Sequence, residues 1–170
     1  VLVLYATAHG APGIGVVYKD SDKGYGMIAP ERLAGLIDEL GIKRRLVIVS
    51  ACFSGQFVNA MANADSAIVA AADNDRTSFG CAPSNDWTYF GDALINHELR
   101  TARPLVTAAE AAFKLISEWE YKEGLTSSKP RLFVGDRAKA WLATLEARIP
   151  PGETARVGRP SVEGEKATAK

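Results

Sequence analysis

The chain is poor in the residues that carry most metal and redox chemistry. It has two cysteines and two histidines in 170 residues. Two cysteines do not make a disulfide framework in a chain of this size. The four residues, His9, Cys52, Cys81 and His97, contain no C-x-x-C or H-x-x-x-H pairing, the spacing that closes a zinc site. No metal or organic cofactor is expected. A surplus of either charge is also missing, because Lys+Arg and Asp+Glu both number 20. Nothing in the charge therefore points to nucleic acid or an anionic membrane as partner. No apolar run is long enough to span a bilayer, and no signal peptide is visible. The chain opens on Val1 within an apolar run, without a Met. It reads as part of a longer protein, in which an upstream segment would carry further strands, a signal or a membrane anchor. A periplasmic, secreted or membrane-anchored location is the corresponding expectation.

What is present is an alternation of strands and helices. The runs Val1–Leu4, Leu46–Val49 and Ala67–Ala71 are short, apolar and bounded by small or turn residues, as buried parallel strands are. Val16–Tyr18 and Gly26–Ile28 flank the turn cluster Asp20–Gly24, which predicts a hairpin. Pro30 opens a helix carrying Leu33, Leu36, Ile37 and Leu40, and Gly41 suits its end. Ser54 is expected to cap a helix to about residue 63. Residues 73–86 form a polar loop, followed by a helix to about residue 98. Thr107 and Glu110 have the spacing of a capping box. Arg131–Val134 is the last strand, and Asp136 is expected to cap the last helix. The order predicts an α/β domain over residues 1–149, with a mainly parallel sheet covered on both faces. Residues 150–170 are rich in Pro, Gly, Glu, Lys and Thr and read as a disordered tail.

Two strand ends carry chemistry. His9-Gly10 follows the first strand, and Ala51-Cys52-Phe53-Ser54-Gly55 follows the second. Neighbouring parallel strands present their carboxyl ends on one edge of the sheet, where open α/β sheets bind ligands. A thiol nucleophile and an imidazole partner need that placement. A free thiol ionises at a pKa of about 8.5, and the thiolate is the form that attacks. Main-chain N–H groups at a helix start beside Cys52 would favour the anion. His9 would support it and later protonate the leaving amine. The N–H groups of Gly10 and Cys52 would hold the developing oxyanion. Taken singly, a cysteine after a strand is most often core, and a histidine there is most often structural; their pairing on one sheet edge carries the reading. Cys81 and His97 form a competing pair.

The motifs occur in an order that resembles the legumain family of cysteine peptidases (peptidase family C13). The matching stretches are His9-Gly10, the glycine-rich hairpin, Ala51-Cys52-Phe53-Ser54-Gly55, Ala72–Cys81 and Tyr89-Phe90-Gly91-Asp92. The resemblance implies a caspase-like three-layer sandwich with one or more upstream strands missing from this chain. It implies a peptide or protein substrate cleaved through a thioester acyl-enzyme, with no cofactor. Thr77 and Ser78 match residues lining the S1 pocket, and Asp92 matches the acid at its base. Ser50 stands where the family commonly has a pocket Glu, and Ala8 where it has an Asp. These departures imply a modest preference for Asn over Asp at P1 and little cleavage after Lys or Arg. A transamidase using the same acyl-enzyme and a non-catalytic interaction module are the alternatives. The first strand would leave one edge unpaired, so the chain alone is expected to be poorly stable.

Overall fold

The structure is a computed structural model that describes residues 1–101, 103–150, 152–159 and 161. Its main sheet contains β1 (Leu2–Thr7), β5 (Arg45–Ser50), β6 (Ser66–Ala70) and β7 (Arg131–Val134), side by side in that order. β1, β5 and β6 are parallel, and β7 runs antiparallel to β6. Between β1 and β5 the chain makes a smaller antiparallel sheet from β2 (Gly10–Ala11), β3 (Gly15–Asp20) and β4 (Gly24–Ile28). The expected hairpin is β3–β4. β2, a two-residue strand, is too short to leave a period in the sequence.

Helices cover both faces. α1 (Pro30–Glu39) and α2 (Gly55–Met61) lie on one side. There Val47, Val49, Ile68 and Ala70 from the sheet meet Ile37, Phe57, Val58 and Met61. On the other side are α3 (Tyr89–Gly91), α4 (Leu105–Lys122) and α5 (Asp136–Glu146). With the turn that follows α3, they pack Phe90, Leu94, Ile116 and Trp141 on Ile48, Ala67 and Val69. Strand alternation explains the two cores, since residues 67 and 69 of β6 face one layer and 68 and 70 the other. The result is a three-layer α/β sandwich with a mainly parallel sheet, consistent with a caspase-like fold.

Several local expectations are corrected. α4 starts at Leu105, so Thr107 lies inside its first turn and makes no cap. The Leu105 N–H instead donates to the Glu146 carboxylate at 2.8 Å, a partner from α5. Asp136 is the first residue of α5 rather than its cap, and it pairs with Lys139. The helix expected up to residue 98 is interrupted. After α3, residues Asp92–His97 form a π-helix and Glu98–Arg100 a 3₁₀ turn. Where the C-terminal segment is described, polar contacts tie it to the domain. Thr154 N–H donates to the Arg100 carbonyl at 3.0 Å. The Trp87 indole donates to the Val157 carbonyl at 2.8 Å, and Arg159 pairs with Asp86. Composition counts few apolar residues here, but these anchors are polar and main-chain groups that composition does not weigh. Residues 151, 160 and 162–170 of the expected tail lie outside the described residues.

β1 sits at the border of the main sheet, and among the described residues no strand pairs with its outer edge. Leu2 and Leu4 turn toward α1 and α2. Val3 and Tyr5 turn to the opposite face, where they are 58% and 40% exposed. An apolar edge of this kind templates association, and a charge on it opposes that. Val3→Lys is therefore expected to raise the monomer fraction in size-exclusion chromatography with the far-ultraviolet circular dichroism unchanged. An unaltered elution profile would show that β1 is not the contact.

Candidate active site

The β1–β5 register pairs Thr7 with Ser50. Each strand then runs two residues further, to His9 and to Cys52. Both side chains line one cleft of about 180 Å³ with Thr7, Ser50, Ser78 and Thr88. His9 is exposed and Cys52 partly buried. The parallel pairing continues past the strand ends, as the Ala8 N–H donates to the Ser50 carbonyl at 3.2 Å.

Cys52 is held by a turn rather than by a helix start. Phe53 takes a left-handed conformation, φ 57°, and its N–H donates to the Arg76 carbonyl at 2.7 Å. α2 begins only at Gly55 and is seven residues long. Ser54 makes no cap on it. Its fully buried hydroxyl instead accepts the Ala72 N–H at 3.1 Å. Gly55 explains this: a Cβ there would lie 2.5 Å from the Asn74 nitrogen, so the chain leaving β6 packs directly on the turn. The N–H expected from a helix start reaches the sulfur from elsewhere. Ser78 N–H donates to Cys52 Sγ at 3.3 Å, and the thiol donates to the Ser78 carbonyl at 3.4 Å. Both ends of one peptide residue from the 73–79 loop grip the sulfur.

Gly10 meets the same turn from the other strand. A Cβ at position 10 would lie 1.9 Å from the Cys52 carbonyl oxygen. The contact is backbone on backbone, so only glycine fits. Gly10 pairs with Val16 in the small sheet, while the neighbouring His9 carbonyl accepts the Val17 N–H at 2.8 Å. The alternation of an antiparallel ladder then turns the Gly10 N–H away from β3.

The expected pocket residues are divided. Ser50 and Ser78 line the cleft. Ser50 is 1% exposed, and its hydroxyl is 2.9 Å from that of Thr88. Tyr5 also bonds to Ser50, and burial pushes the Tyr5 phenol above its usual pKa. Thr77 is exposed and is not among the residues lining the cleft. Asp92 is 1% exposed and outside it as well. Its carboxylate accepts the Asn96 amide at 2.8 Å and the Ser161 N–H and hydroxyl at 3.1 and 3.0 Å. His97 Nε2 lies 3.8 Å from it. His97 packs edge-on against Trp119, with ring centroids 5.5 Å apart, away from the cleft that Cys81 lines. The competing Cys81/His97 pair is not brought together there. Thr88 is the residue that sequence reasoning missed. Its signal was available, since it caps α3 by accepting the Gly91 N–H at 3.0 Å, and a Thr before a helical run is a cap candidate. No group of acidic, His and Cys side chains suited to a metal occurs among the described residues.

The model of the Peptidase C13 family matches residues 1–133 of the chain. No curated protein matches it.

Gly10→Ala forces the new methyl into the Cys52 carbonyl and must displace one of the two loops. The expected outcome is a loss of peptidase activity of at least about a hundredfold, since a 1 Å misplacement can cost that much. Steady-state kinetics on a fluorogenic peptide, beside a thermal melt, check it. An active Gly10→Ala enzyme would show that the close approach is dispensable.

Proposed function

The chain belongs to the Peptidase C13 family of cysteine-type peptidases, and from that premise we propose that Cys52 is its nucleophile and His9 the partner acid and base. The observation that carries this is their shared cleft at the ends of two adjacent parallel strands. In the proposed reaction the Cys52 thiolate attacks the scissile carbonyl carbon. The carbonyl oxygen takes the negative charge beside the N–H groups of Gly10 and Cys52. The contact between Gly10 and the Cys52 main chain supports that pairing of donors. His9 gives a proton to the leaving amine, and a thioester remains on Cys52. Water, activated by His9, then releases the acid. The Ser78 N–H steadies the sulfur throughout, and the Ser78 carbonyl orients it before it ionises.

The same cleft suggests a substrate preference. Apart from His9, its lining carries no charged side chain, and Thr7, Ser50, Ser78 and Thr88 contribute hydroxyls. A hydroxyl both donates and accepts, so such a pocket can meet the two ends of a carboxamide. An Asp side chain would enter without a cation, and Lys or Arg without an anion. Asn is therefore preferred over Asp at P1, and cleavage after Lys or Arg is minor. Asp92 could join the pocket only after losing its Asn96 and Ser161 partners.

Cys52→Ala and His9→Ala are expected to lower kcat/KM by about a thousandfold or more, the scale of removing one member of a catalytic set. The melting temperature should change little, as His9 is exposed and Cys52 partly so. Either variant retaining full activity removes the pair. A peptide-library profile gives the second check: Asn is expected at P1, and a profile dominated by Lys or Arg would overturn the pocket reading while leaving the pair intact. Running the assay with an added amine separates hydrolysis from acyl transfer to that amine.

A further inference from the structure

The chain has two cysteines, and both line the same cleft. Cys81 is exposed and therefore does not serve as core filling. Among the described residues its sulfur has no hydrogen-bond partner. It is three residues from Ser78, whose N–H and carbonyl hold the Cys52 sulfur. Gly80 bends the chain between them at φ 88°, a conformation that favours glycine. Beyond Cys81 the chain lies in neither helix nor strand until α3, and it turns at Ala82–Asn85, where the Asn85 N–H donates to the Ala82 carbonyl at 2.9 Å. A disulfide requires the two Cα atoms to come within about 7 Å. No sheet pairing holds the loop there; its anchors are the Asn85 amide on the Gly80 carbonyl and the contacts of Asp86 and Trp87 with the C-terminal segment.

From this pairing we infer that Cys81 is a resolving thiol, which captures oxidised Cys52 as a reversible Cys52–Cys81 disulfide. The inference rests on the reading of Cys52 as the reactive thiol, and the oxidant is a hydroperoxide. The Cys52 thiolate attacks one peroxide oxygen; an S–O bond forms, the O–O bond breaks and hydroxide leaves. Cys52 is now a sulfenic acid. The Cys81 thiolate attacks its sulfur; the S–S bond forms, the S–O bond breaks and a second hydroxide leaves. With the two thiol protons the sum is two thiols and one hydrogen peroxide giving a disulfide and two waters. A dithiol reverses it by exchange. Without a resolving thiol, a second peroxide carries the sulfenic acid to sulfinic acid, which a dithiol does not reduce. The disulfide thus silences the peptidase and also shields its nucleophile from permanent loss. It fills the cleft that the substrate would occupy.

The test uses the intact protein treated with hydrogen peroxide, quenched with catalase, alkylated without reduction and mapped by mass spectrometry. The expected product is a peptide pair joined through Cys52 and Cys81, two hydrogens lighter than the sum of its parts. Activity should fall with its formation and return with dithiothreitol to most of the untreated level. In Cys81→Ser and Cys81→Ala, each measured against its own untreated activity, dithiothreitol should restore about a tenth or less, with Cys52 found as sulfinic acid. Wild-type protein with Cys52 over-oxidised and Cys81 freely alkylated would overturn the inference. So would recovery of both Cys81 variants to the wild-type extent. The disulfide map does not depend on turnover: a Cys52→Ala enzyme that still cleaves would sink the peptidase assignment of Cys52 even where the map is positive.

Discussion

Three loops meet at one backbone contact, and the rest of the site depends on it. The Gly10 backbone lies so close to the Cys52 carbonyl that a Cβ would overlap it at 1.9 Å. The Ser78 main chain holds the Cys52 sulfur from the other side. Gly55 allows the Asp73–Asn74 chain to pack on the turn just beyond. None of these contacts uses a long side chain, so none carries much rotamer entropy to lose. The Cys52 sulfur is fixed by backbone geometry, and backbone geometry is fixed in turn by the sheet: the β1–β5 register and the exit from β6 bring the three loops to one edge.

The sheet itself was legible because its pattern is simple. The runs at Leu46–Val49 and Ala67–Ala71 are continuous apolar segments, and both are buried strands close to the expected limits. Pro30 and Gly41 marked α1 to within two residues. The placement of His9 and Cys52 in one cleft is legible because strand ends can be read from sequence and parallel strands share an edge. Capping is what the local pattern misses. Ser54 and Thr107 have the right residue type for caps, but tertiary partners outbid the local one: Ala72 takes the Ser54 hydroxyl, and Glu146 caps α4. Local propensity cannot see a partner 18 or 41 residues away. The π-helix at Asp92–His97 was equally invisible, because its apolar spacing still resembles an α-helix over so few residues.

The pocket shows the limit of transferring roles by motif. Asp92 stands in the matching position, yet its two carboxylate oxygens are already occupied by Asn96 and by Ser161 from the C-terminal segment. Burying a carboxylate is costly unless its lone pairs are satisfied. With an amide, a hydroxyl and a main-chain N–H around it, this one is satisfied inside the protein and has little left to offer a substrate. Ser50 has moved the opposite way. Where the resemblance implies an acid, Ser50 joins Tyr5 and Thr88 in a chain of hydroxyls beside the cleft.

That exchange changes how the cleft discriminates. A charged pocket selects by opposite charge and repels by like charge over several ångströms. A hydroxyl pocket selects through hydrogen-bond geometry at contact, and each hydroxyl can reverse its role as donor or acceptor. Thr88 is partly committed, since it accepts the Gly91 N–H while sharing a proton with Ser50. It keeps its proton and a second lone pair, so the Ser50–Thr88 bond can run in either direction. The hydroxyl chain is anchored at the start of α3 through Thr88. The same Thr88 cap closes the loop carrying Ser78 and Cys81, so the groups that would read the substrate and those that hold the Cys52 sulfur share one short stretch of chain.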